Sequence, residues 1–415
     1  MVTISPSMDF AEPRVAKPSA PVSARDPRLD VFRGIAMYII LIAHIPNDPW
    51  ALWIPARFGF SDATEIFVFC SGMASAIAFG GAFNQRGWLM GTARVAYRCW
   101  QVYWAHIALF FFTAMAMAAI DAWWPGETSY VGQLNLQPFF DRTAQQLLGL
   151  FTLTYVPNYF DVLPMYLVVL AMMPLVMALQ RMHLAAAVLF SVSLWLAANV
   201  GTLHLPAEPW STREWFFNPF GWQLLFFTGF ALMRGWIPAP PVSKALLWTA
   251  AAFLILSAPF GSWKVLNWVE ALSPALGDWI KDIWGWMDHQ DIPANFSPRD
   301  KTDFAILRYL HFLSLAYLAW AAAGPGGSQL RALTDGAAGN GVRLLIAVIT
   351  KVGQQSLAVF VASMALAQVL GFLADQMGRN AANHLVVNLL GFAMITAVAY
   401  IAGWFKSQPW RSKRK

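Results

Sequence analysis

The chain has 415 residues, of which 58% are hydrophobic and only 12% are charged, and its formal net charge is +6. Soluble domains carry about 25% charged residues, so this composition excludes an ordinary soluble protein and indicates a polytopic membrane protein. The positive charge does not indicate nucleic-acid binding, because an excess of Lys and Arg is typical of the cytoplasmic loops of membrane proteins.

Apolar runs of roughly 20 residues, the length that crosses the hydrocarbon core of a bilayer, recur along the chain and predict about ten transmembrane helices. The predicted spans are 29–46, 61–83, 95–120, 160–180, 184–203, 219–236, 243–262, 304–323, 353–374 and 384–405. Two apolar segments, 142–156 and 343–351, are too short to cross and are predicted to be interfacial or re-entrant. The expected fold class is all-α, a polytopic integral membrane protein with short interfacial helices.

The chain is expected to form one transmembrane domain between two polar tails. Residues 1–27 are rich in proline and contain no apolar core, so they are predicted to be a disordered tail and not a signal peptide. Residues 28–405 form the domain, with a long outside loop at 263–303, and 406–415 form a basic tail. Lys and Arg concentrate on the side of the two tails, so both termini are predicted to be cytoplasmic.

The first span carries ionisable side chains at membrane depth. Asp30, Arg33 and His44 lie in it. Arg33 and His44 are about three helical turns, roughly 16 Å, apart and therefore share one helix face. Such groups are costly in hydrocarbon and indicate a function by default. His44 is predicted to be a general base or an acyl carrier; the alternative is a structural histidine bonded to a neighbouring helix.

Two carboxylates, Asp62 and Glu65, open the second span one helical turn apart. Asp62 is in position to cap the helix, whereas no capping role is predicted for Glu65, which lies deeper. One of the two is expected to orient an imidazole, as the carboxylate of a catalytic triad does.

Two arginines, Arg94 and Arg98, lie at the cytoplasmic start of the third span. Together with Arg33 they would form a phosphate-binding mouth, although the ordinary excess of positive charge on cytoplasmic loops explains them equally well.

Three further polar residues lie at outer ends of predicted spans. Asp161 begins the fourth span, and Arg308 and His311 share a helix face at the start of the eighth. They are candidate substrate-binding residues, with solvation at a helix end as the alternative. The seven histidines show no metal-ligand spacing, so no metal site is expected.

The outside loop interleaves tryptophans with carboxylates. The residues concerned are Trp263, Trp268, Trp279, Trp284, Trp286, Glu270, Asp278, Asp282, Asp288 and Asp291. Aromatic rings beside carboxylates suit a platform for sugars, because CH faces stack on rings and hydroxyls donate to carboxylates. The alternative is an amphipathic helix that lies on the membrane with an interfacial tryptophan belt.

Several strings resemble the OpgC-type membrane proteins, which are linked to succinylation of osmoregulated periplasmic glucans in Gram-negative bacteria. They are RDPRLDVFRGIAMYIILIAHIP, FGFSDATEIFVFCSGMASAIAFG, YFDVLPMYLVVLAMMPL, KTDFAILRYLHFLSLAYLAW and GQQSLAVFVASM. The first span is also similar to the acyltransferase-3 superfamily of integral-membrane acyltransferases, through Leu29, Asp30, Arg33, Gly34 and His44.

The resemblance implies a transmembrane O-acyltransferase of the bacterial inner membrane, with no permanently bound cofactor. Its donor would be an acyl-CoA, namely succinyl-CoA, docked on the cytoplasmic side at Arg33, Arg94 and Arg98. Its acceptor would be a periplasmic glucan, with Asp161 in the acceptor role, and its other partner is membrane lipid. The rival functions are a transporter or flippase for an anionic or glycan substrate, and a glycan-assembly scaffold without catalysis.

Overall fold

A computed structural model describes residues 26–126, 128–288, 297–335 and 339–411, and within these residues the structure consists of helices and loops without a β-strand. The helices are α1 Pro27–His44, α2 Ala63–Trp123, α3 Tyr130–Gln133, α4 Gln137–Asp141, α5 Thr143–Thr152, α6 Val162–Met182, α7 Leu184–Asn199, α8 Pro219–Arg234, α9 Lys244–Gly261, α10 Trp263–Leu272, α11 Pro274–Asp288, α12 Ile306–Ala322, α13 Ser328–Asp335, α14 Asn340–Gln354, α15 Ser356–Met377 and α16 Ala381–Ser407. Three-residue and four-residue 3₁₀ turns lie between α1 and α2. The all-α prediction is confirmed for the described residues, whereas nearly all of the predicted N-terminal tail lies outside them.

Every predicted span coincides with a helix or with part of one. By length and composition, five helices are able to cross a membrane, or six if the bent pair formed by α12 and 325–333 is counted as one span. The expected number of ten crossings is therefore not established. The reason is physical: α7, α8 and α12 are shorter than 18 residues, and α1 carries three charged side chains.

The second and third predicted spans are joined in the single long element α2, which has 61 residues. At 1.5 Å per residue such a helix would be about 90 Å long if straight, three times the thickness of the hydrocarbon core. Gly87 breaks it with a φ of 82°, a conformation that a residue with a side chain rarely adopts. The element α2 therefore consists of two helices that meet at Gly87.

The core of the bundle is held by close backbone contact between α2 and α8. Gly72 of α2 lies against the carbonyl of Phe226, and Gly229 of α8 lies against the carbonyl of Phe69. A side chain at either glycine would collide with the opposite backbone, so the two helices approach at their small residues, as is common in membrane bundles. This packing fixes the start of α2, which carries Asp62 and Glu65.

One end of the bundle gathers the end of α1 and the beginnings of α2, α6, α8 and α12, and we call it the His44 end. Asn218, which caps α8, donates to Asp303 Oδ1 at 2.8 Å just before α12. At the opposite end Arg28 donates to the carbonyl of Gly324 at 3.1 Å. The ionisable side chains that were predicted at the outer ends of spans lie mostly at the His44 end, among them Asp62, Asp161 and Arg308.

The tryptophan-rich outside loop forms the helical hairpin α10–α11, and residues 289–296, including Asp291, lie outside the described part. Trp284 is buried among Leu266, Ile280 and Met287, and Trp263 packs on it at 4.2 Å between ring centroids. The expectation that Trp284 belongs to an exposed sugar platform is therefore wrong, because this ring closes the small core of the hairpin. Trp279 and Trp286 are exposed, and their role stays a prediction.

The predicted interfacial segments are short helices. The first contains α5, a helix of ten residues, which is too short to cross a bilayer. The second lies within α14, which packs along α1 where Gly34 contacts the backbone of Ile349. Neither helix has the length and composition of a span.

Candidate active site

A cavity of about 820 Å³ opens at the His44 end. Its walls come from α1, from the segment between α1 and α2, from the start of α2, and from three loops that are distant in sequence. The ionisable side chains that line it are His44, Arg57, Asp62, Tyr159, Asp161, Arg299, Asp300, Lys301 and Arg308. Its volume is that of a site for a small organic substrate, and we call it the His44 cavity.

His44 is held in one tautomer by its own helix. Its Nδ1 lies 2.7 Å from the carbonyl oxygen of Ile40, and a carbonyl only accepts, so Nδ1 carries the proton. The lone pair is then on Nε2, which makes no hydrogen bond to any described residue. The predicted carboxylate that orients this ring is replaced by a backbone carbonyl: neither Asp62 nor Glu65 bonds to His44 among the described residues. The imidazole is thus arranged as a base facing a polar cavity.

Tyr159 supports the imidazole from the side. Its ring meets that of His44 edge-on, with 5.5 Å between centroids, and its hydroxyl donates to the carbonyl of Met364 at 2.5 Å. Its φ is 87°, a left-handed backbone conformation that costs about 1–3 kcal/mol for a residue with a side chain. Gln368 also donates to the carbonyl of His44, at 3.4 Å. The surrounding structure therefore holds Tyr159 in a strained position beside the base.

Asp62 and Glu65 form a capping box at the start of α2. Asp62 accepts the backbone N–H of Thr64 at 2.6 Å, and Glu65 Oε2 accepts the backbone N–H of Asp62 at 2.8 Å. The expectation that Glu65 has no capping role is therefore wrong, because a carboxylate three residues after the cap reaches back to the free N–H groups of the helix.

Two cations complete this cluster. Arg308 donates through Nε and Nη2 to Glu65 Oε1 at 2.9 and 2.6 Å, and Lys301 donates to Asp62 Oδ2 at 2.5 Å. Burial alone would raise the pKa of Asp62, but the charges of Lys301 and Arg308 outweigh it and hold the pKa well below its usual range. Asp62 is therefore ionised at neutral pH and is a poor proton acceptor.

Asp161 is the least well paired carboxylate of the His44 cavity. It is buried, and among the other described residues only the backbone N–H of Phe216 donates to its side chain, at 3.4 Å. Burial raises the pKa of Asp161 to about 7, although the charge of Arg213 and the bond from Phe216 oppose it. This side chain therefore changes its charge close to neutral pH.

His311 does not line the His44 cavity. Its Nδ1 lies 2.7 Å from Ser61 Oγ and 3.3 Å from the backbone nitrogen of Ser61, and its ring lies against Gly59. The structure thus separates it from Arg308: His311 anchors the chain that leads into α2, and Arg308 faces the cavity.

The arginines predicted to bind a phosphate lie at the other end of α1. Arg33 bonds to the hydroxyl of Ser356, and its buried Nε has no hydrogen-bond partner among the described residues. Arg98 is half-buried, donates to Gln101 at 3.1 Å and lies within electrostatic range of Arg33. Arg94 is exposed, and Asp30 is buried one turn before Arg33. These positions bring Arg33 and Arg98 together and leave Arg94 at the surface.

Two stacked rings lie between the helix turns that carry this region and the His44 cavity. Phe67 and Phe360 both line the cavity, and their centroids are 5.2 Å apart with 14° between the ring planes. Phe67 lies one helical turn before Cys70, which is within electrostatic range of Arg33, and Phe360 lies one turn after Ser356. The pair therefore lies on the side of the cavity toward Arg33.

A family model described as OpgC protein matches residues 25–407, which is nearly the whole chain. The chain belongs to the OpgC protein family. Membership in the OpgC family implies a glucan-modifying function of the acyltransferase type, and several helices of the chain have the length and composition of membrane spans. No curated protein and no solved structure matches the chain. Among the described residues no group of three or more His, Cys, Asp or Glu is placed to hold a metal ion.

Sequence analysis did not single out Lys301, Tyr159 or Arg57, although all three line the cavity. Lys301 begins the string KTDFAILRYLHF, so the resemblance placed it beside Arg308 without assigning it a role. Tyr159 precedes Asp161 by two residues, but its left-handed backbone has no local sequence signal. Arg57 lies in a loop between two spans, where a single arginine is unremarkable.

Proposed function

We propose that this chain is a membrane O-acyltransferase that moves a succinyl group from succinyl-CoA, bound on the cytoplasmic side of a bacterial inner membrane, to a hydroxyl of a periplasmic glucan. The observation that carries the proposal is the state of His44: its tautomer is fixed by Ile40, and its basic nitrogen is free in a polar cavity. Family membership supplies the reaction class.

His44 would act as the base of a direct transfer. A glucan hydroxyl gives its proton to Nε2 while its oxygen attacks the thioester carbonyl carbon. The tetrahedral intermediate then collapses, the carbon–sulfur bond breaks, and His44 returns the proton to the departing thiolate, which leaves ester and free CoA. A positioned base contributes about 10²–10⁴ in rate. In the alternative order, Nε2 first takes the acyl group and the hydroxyl then attacks the acyl-imidazole.

Arg308 is suited to stabilise the negative charge that develops on the thioester oxygen. Its Nε and Nη2 are engaged with Glu65, whereas its Nη1 makes no hydrogen bond to a described residue, and the side chain lines the cavity. A donor that is already oriented by other bonds costs no reorganisation when the charge appears. Glu65 in this proposal positions Arg308 and takes no part in proton transfer.

Asp161 would bind the acceptor. A buried carboxylate with one long hydrogen bond has free acceptor capacity, and sugar hydroxyls are donors. Its ionised form therefore fits a glucan hydroxyl inside the same cavity as His44.

Arg57 would bind the free carboxylate of the succinyl group, so it would favour this acyl group over one without a second carboxylate. It is exposed and lines the cavity, its Nε donates to the carbonyl of Ala51 at 3.3 Å, and it forms no ion pair with any described residue. A guanidinium without a carboxylate partner suits the free end of a succinyl group.

The donor would dock at the opposite end of α1. Arg33 and Arg98 offer positive charge to the phosphates of CoA, and the pantetheine arm would run along α1 toward His44. That route passes the stacked rings of Phe67 and Phe360, so the two rings must separate when the thioester enters the His44 cavity.

The rival is a transporter in which the same polar helix lines a path that Phe67 and Phe360 close. The two functions are distinguished in proteoliposomes loaded with glucan, with radiolabelled succinyl-CoA outside. Transfer predicts covalent label on the glucan and release of free CoA in equal amounts. Transport predicts label or glucan crossing the bilayer without ester, and that result would contradict the proposal.

A further inference from the structure

A second cavity, of about 380 Å³, lies between α5 and the loop that follows α7. We define it by Trp210 and call it the Trp210 cavity. It shares no lining residue with the His44 cavity, and none of the candidate residues above lies in it. Its volume is at the lower end of the range for small-molecule sites.

One side chain that lines the Trp210 cavity carries a largely buried amide. Gln146 is 3% exposed and lines the cavity, yet its side chain makes no hydrogen bond to a described residue. Its oxygen and nitrogen are not among the fully enclosed polar atoms that lack a partner in the described residues, so they open to the space of the cavity. A ligand that both donates and accepts would satisfy its oxygen and its nitrogen together.

The wall of the cavity is an aromatic ring. Trp210 is 40% exposed, and it is held from behind by the buried ring of Tyr155 at 5.6 Å between centroids. Thr152 and Thr154 contribute hydroxyls on the other side, bonded to each other at 3.0 Å. A flat apolar face beside hydroxyl and amide groups is complementary to a sugar ring, which has an apolar CH face and a rim of hydroxyls.

The residues that line the Trp210 cavity carry little charge, which favours a neutral ligand over an anionic one. Arg142 is the one ionisable side chain among the residues that line the Trp210 cavity, and no carboxylate lines it. One arginine is a weak site for a phosphate group, while a neutral polyhydroxyl ligand needs no charge at all. The composition therefore favours a neutral sugar over a phospholipid headgroup.

The two cavities are joined by one short, pinned stretch of chain. Thr154 lines the Trp210 cavity and Asn158 lines the His44 cavity, and four residues span at most about 14 Å. Arg213, which lies in the same loop as Trp210, binds this stretch: it donates to Asn158 Oδ1 at 2.9 Å and to the carbonyl of Val156 at 2.8 Å. The spacing of the cavities is thus fixed, and it is within reach of a glucan chain of a few units.

We propose that the Trp210 cavity is a carbohydrate subsite that binds a glucose unit of the acceptor away from the unit that reacts at His44. The proposal rests on the function proposed above, since the acceptor must be a polymer. It assigns Trp210 to stacking and Gln146 to hydrogen bonding, and it gives the protein a preference for long acceptors over short ones.

The test uses the full-length protein purified in detergent, with purified periplasmic glucan and a glucose disaccharide as probes. Trp210→Ala should weaken glucan binding, measured by calorimetry, about five- to tenfold, by analogy with the stacking of bases on aromatic rings. It should raise the acceptor KM of transfer for the glucan far more than for the disaccharide. Gln146→Leu should act in the same direction, and Trp210→Phe should retain most of the binding, which separates loss of a ring from loss of folding. Trp123→Ala is the matched control, because that exposed ring lines neither cavity.

The outcomes separate this subsite from the proposed function. Glucan binding that falls in Trp210→Ala, in a protein that transfers no acyl group, would support the subsite and overturn the acyltransferase. Transfer with an unchanged glucan KM in both Trp210→Ala and Gln146→Leu would overturn the subsite alone. Loss of co-purified phospholipid from Trp210→Ala, with glucan binding intact, would identify a lipid site and would equally overturn it.

Discussion

The Nδ1 atom of His44 lies 2.7 Å from the carbonyl oxygen of Ile40, one helical turn earlier on α1. A backbone carbonyl of the helix thus orients the candidate catalytic base. In catalytic triads a carboxylate has this role. It leaves Nε2 unprotonated in the neutral ring and facing the His44 cavity, where Lys301 and Asp62 lie within electrostatic range of the imidazole.

Acceptor binding should depend on pH through Asp161, whose pKa is raised by burial to about 7. The carboxylate is ionised above that pH, so the acceptor KM should fall as pH rises from 6 to 8, and Asp161→Asn should flatten the change. A wild-type KM that is independent of pH in this range would argue against a contact between Asp161 and the glucan.

The raised pKa of Asp161 should also make the stability of the folded protein depend on pH. Because the folded pKa lies above the unfolded value of 3.8, the folded state is most favoured below pH 3.8, and this advantage is lost as pH rises from 3.8 to about 7. Above pH 7 the buried charge costs on the order of 4 kcal/mol, so Asp161→Asn should raise the thermal unfolding midpoint at pH 8 and have little effect at pH 4.

Arg57 should determine the choice of acyl group. Arg57→Gln should lower kcat/KM for succinyl-CoA about tenfold, because a charge-assisted hydrogen bond contributes roughly 1.5–3 kcal/mol. The value for acetyl-CoA, which lacks the second carboxylate, should change little, and Arg57→Lys should be intermediate. An equal loss with both donors would remove Arg57 from selectivity.

The stacked pair of Phe67 and Phe360 should control access to the region of Arg33. Cys70 is buried one turn beyond Phe67, so in a Cys99→Ser background Phe360→Ala should increase the rate of Cys70 modification by a water-soluble maleimide. Phe312→Ala is the control, because that ring packs on Phe69 and does not line the cavity. Equal labelling of all three proteins would mean that the rings do not form a barrier.

Glu65 should matter for folding more than for chemistry. Glu65→Leu removes both the cap and the partner of Arg308, and breaking a buried ion pair costs about 3–5 kcal/mol, so the thermal unfolding midpoint should drop sharply. Glu65→Gln keeps an oxygen for the backbone N–H of Asp62 and should lose less. If Glu65→Leu unfolded like the wild type but transferred no acyl group, Glu65 would belong to the reaction itself.

The sequence predicted the positions of the long helices because their apolar runs are local and continuous. It separated 61–83 from 95–120 correctly as two runs, but it gave no indication that a helical backbone continues between them to Gly87 and beyond. The capping role of Glu65 was within reach, since Asp62 and Glu65 have the spacing of a capping box.

The contacts that build the site were not predictable from local patterns. Arg308 meets Glu65, and Lys301 meets Asp62, across more than 230 residues of chain, and no helical periodicity records such pairs. The bond from His44 to Ile40 depends on a side-chain rotamer, and the position of Tyr159 depends on a strained backbone. Sequence therefore identified four residues of the His44 cavity, namely His44, Asp62, Asp161 and Arg308, and the tertiary fold determined how these residues are paired and which others join them.

The central claim is that His44 supplies the base, and the most direct measurement is the transfer rate of His44→Gln at saturating donor and acceptor. His106→Gln is the matched control, because His106 is a buried histidine of α2 that lines neither the His44 cavity nor the Trp210 cavity. The account predicts that His44→Gln folds, binds both substrates with unchanged Kd and loses about 10²–10⁴ in kcat, while His106→Gln keeps its rate. A His44→Gln protein that turns over within a few-fold of the wild type would contradict the account.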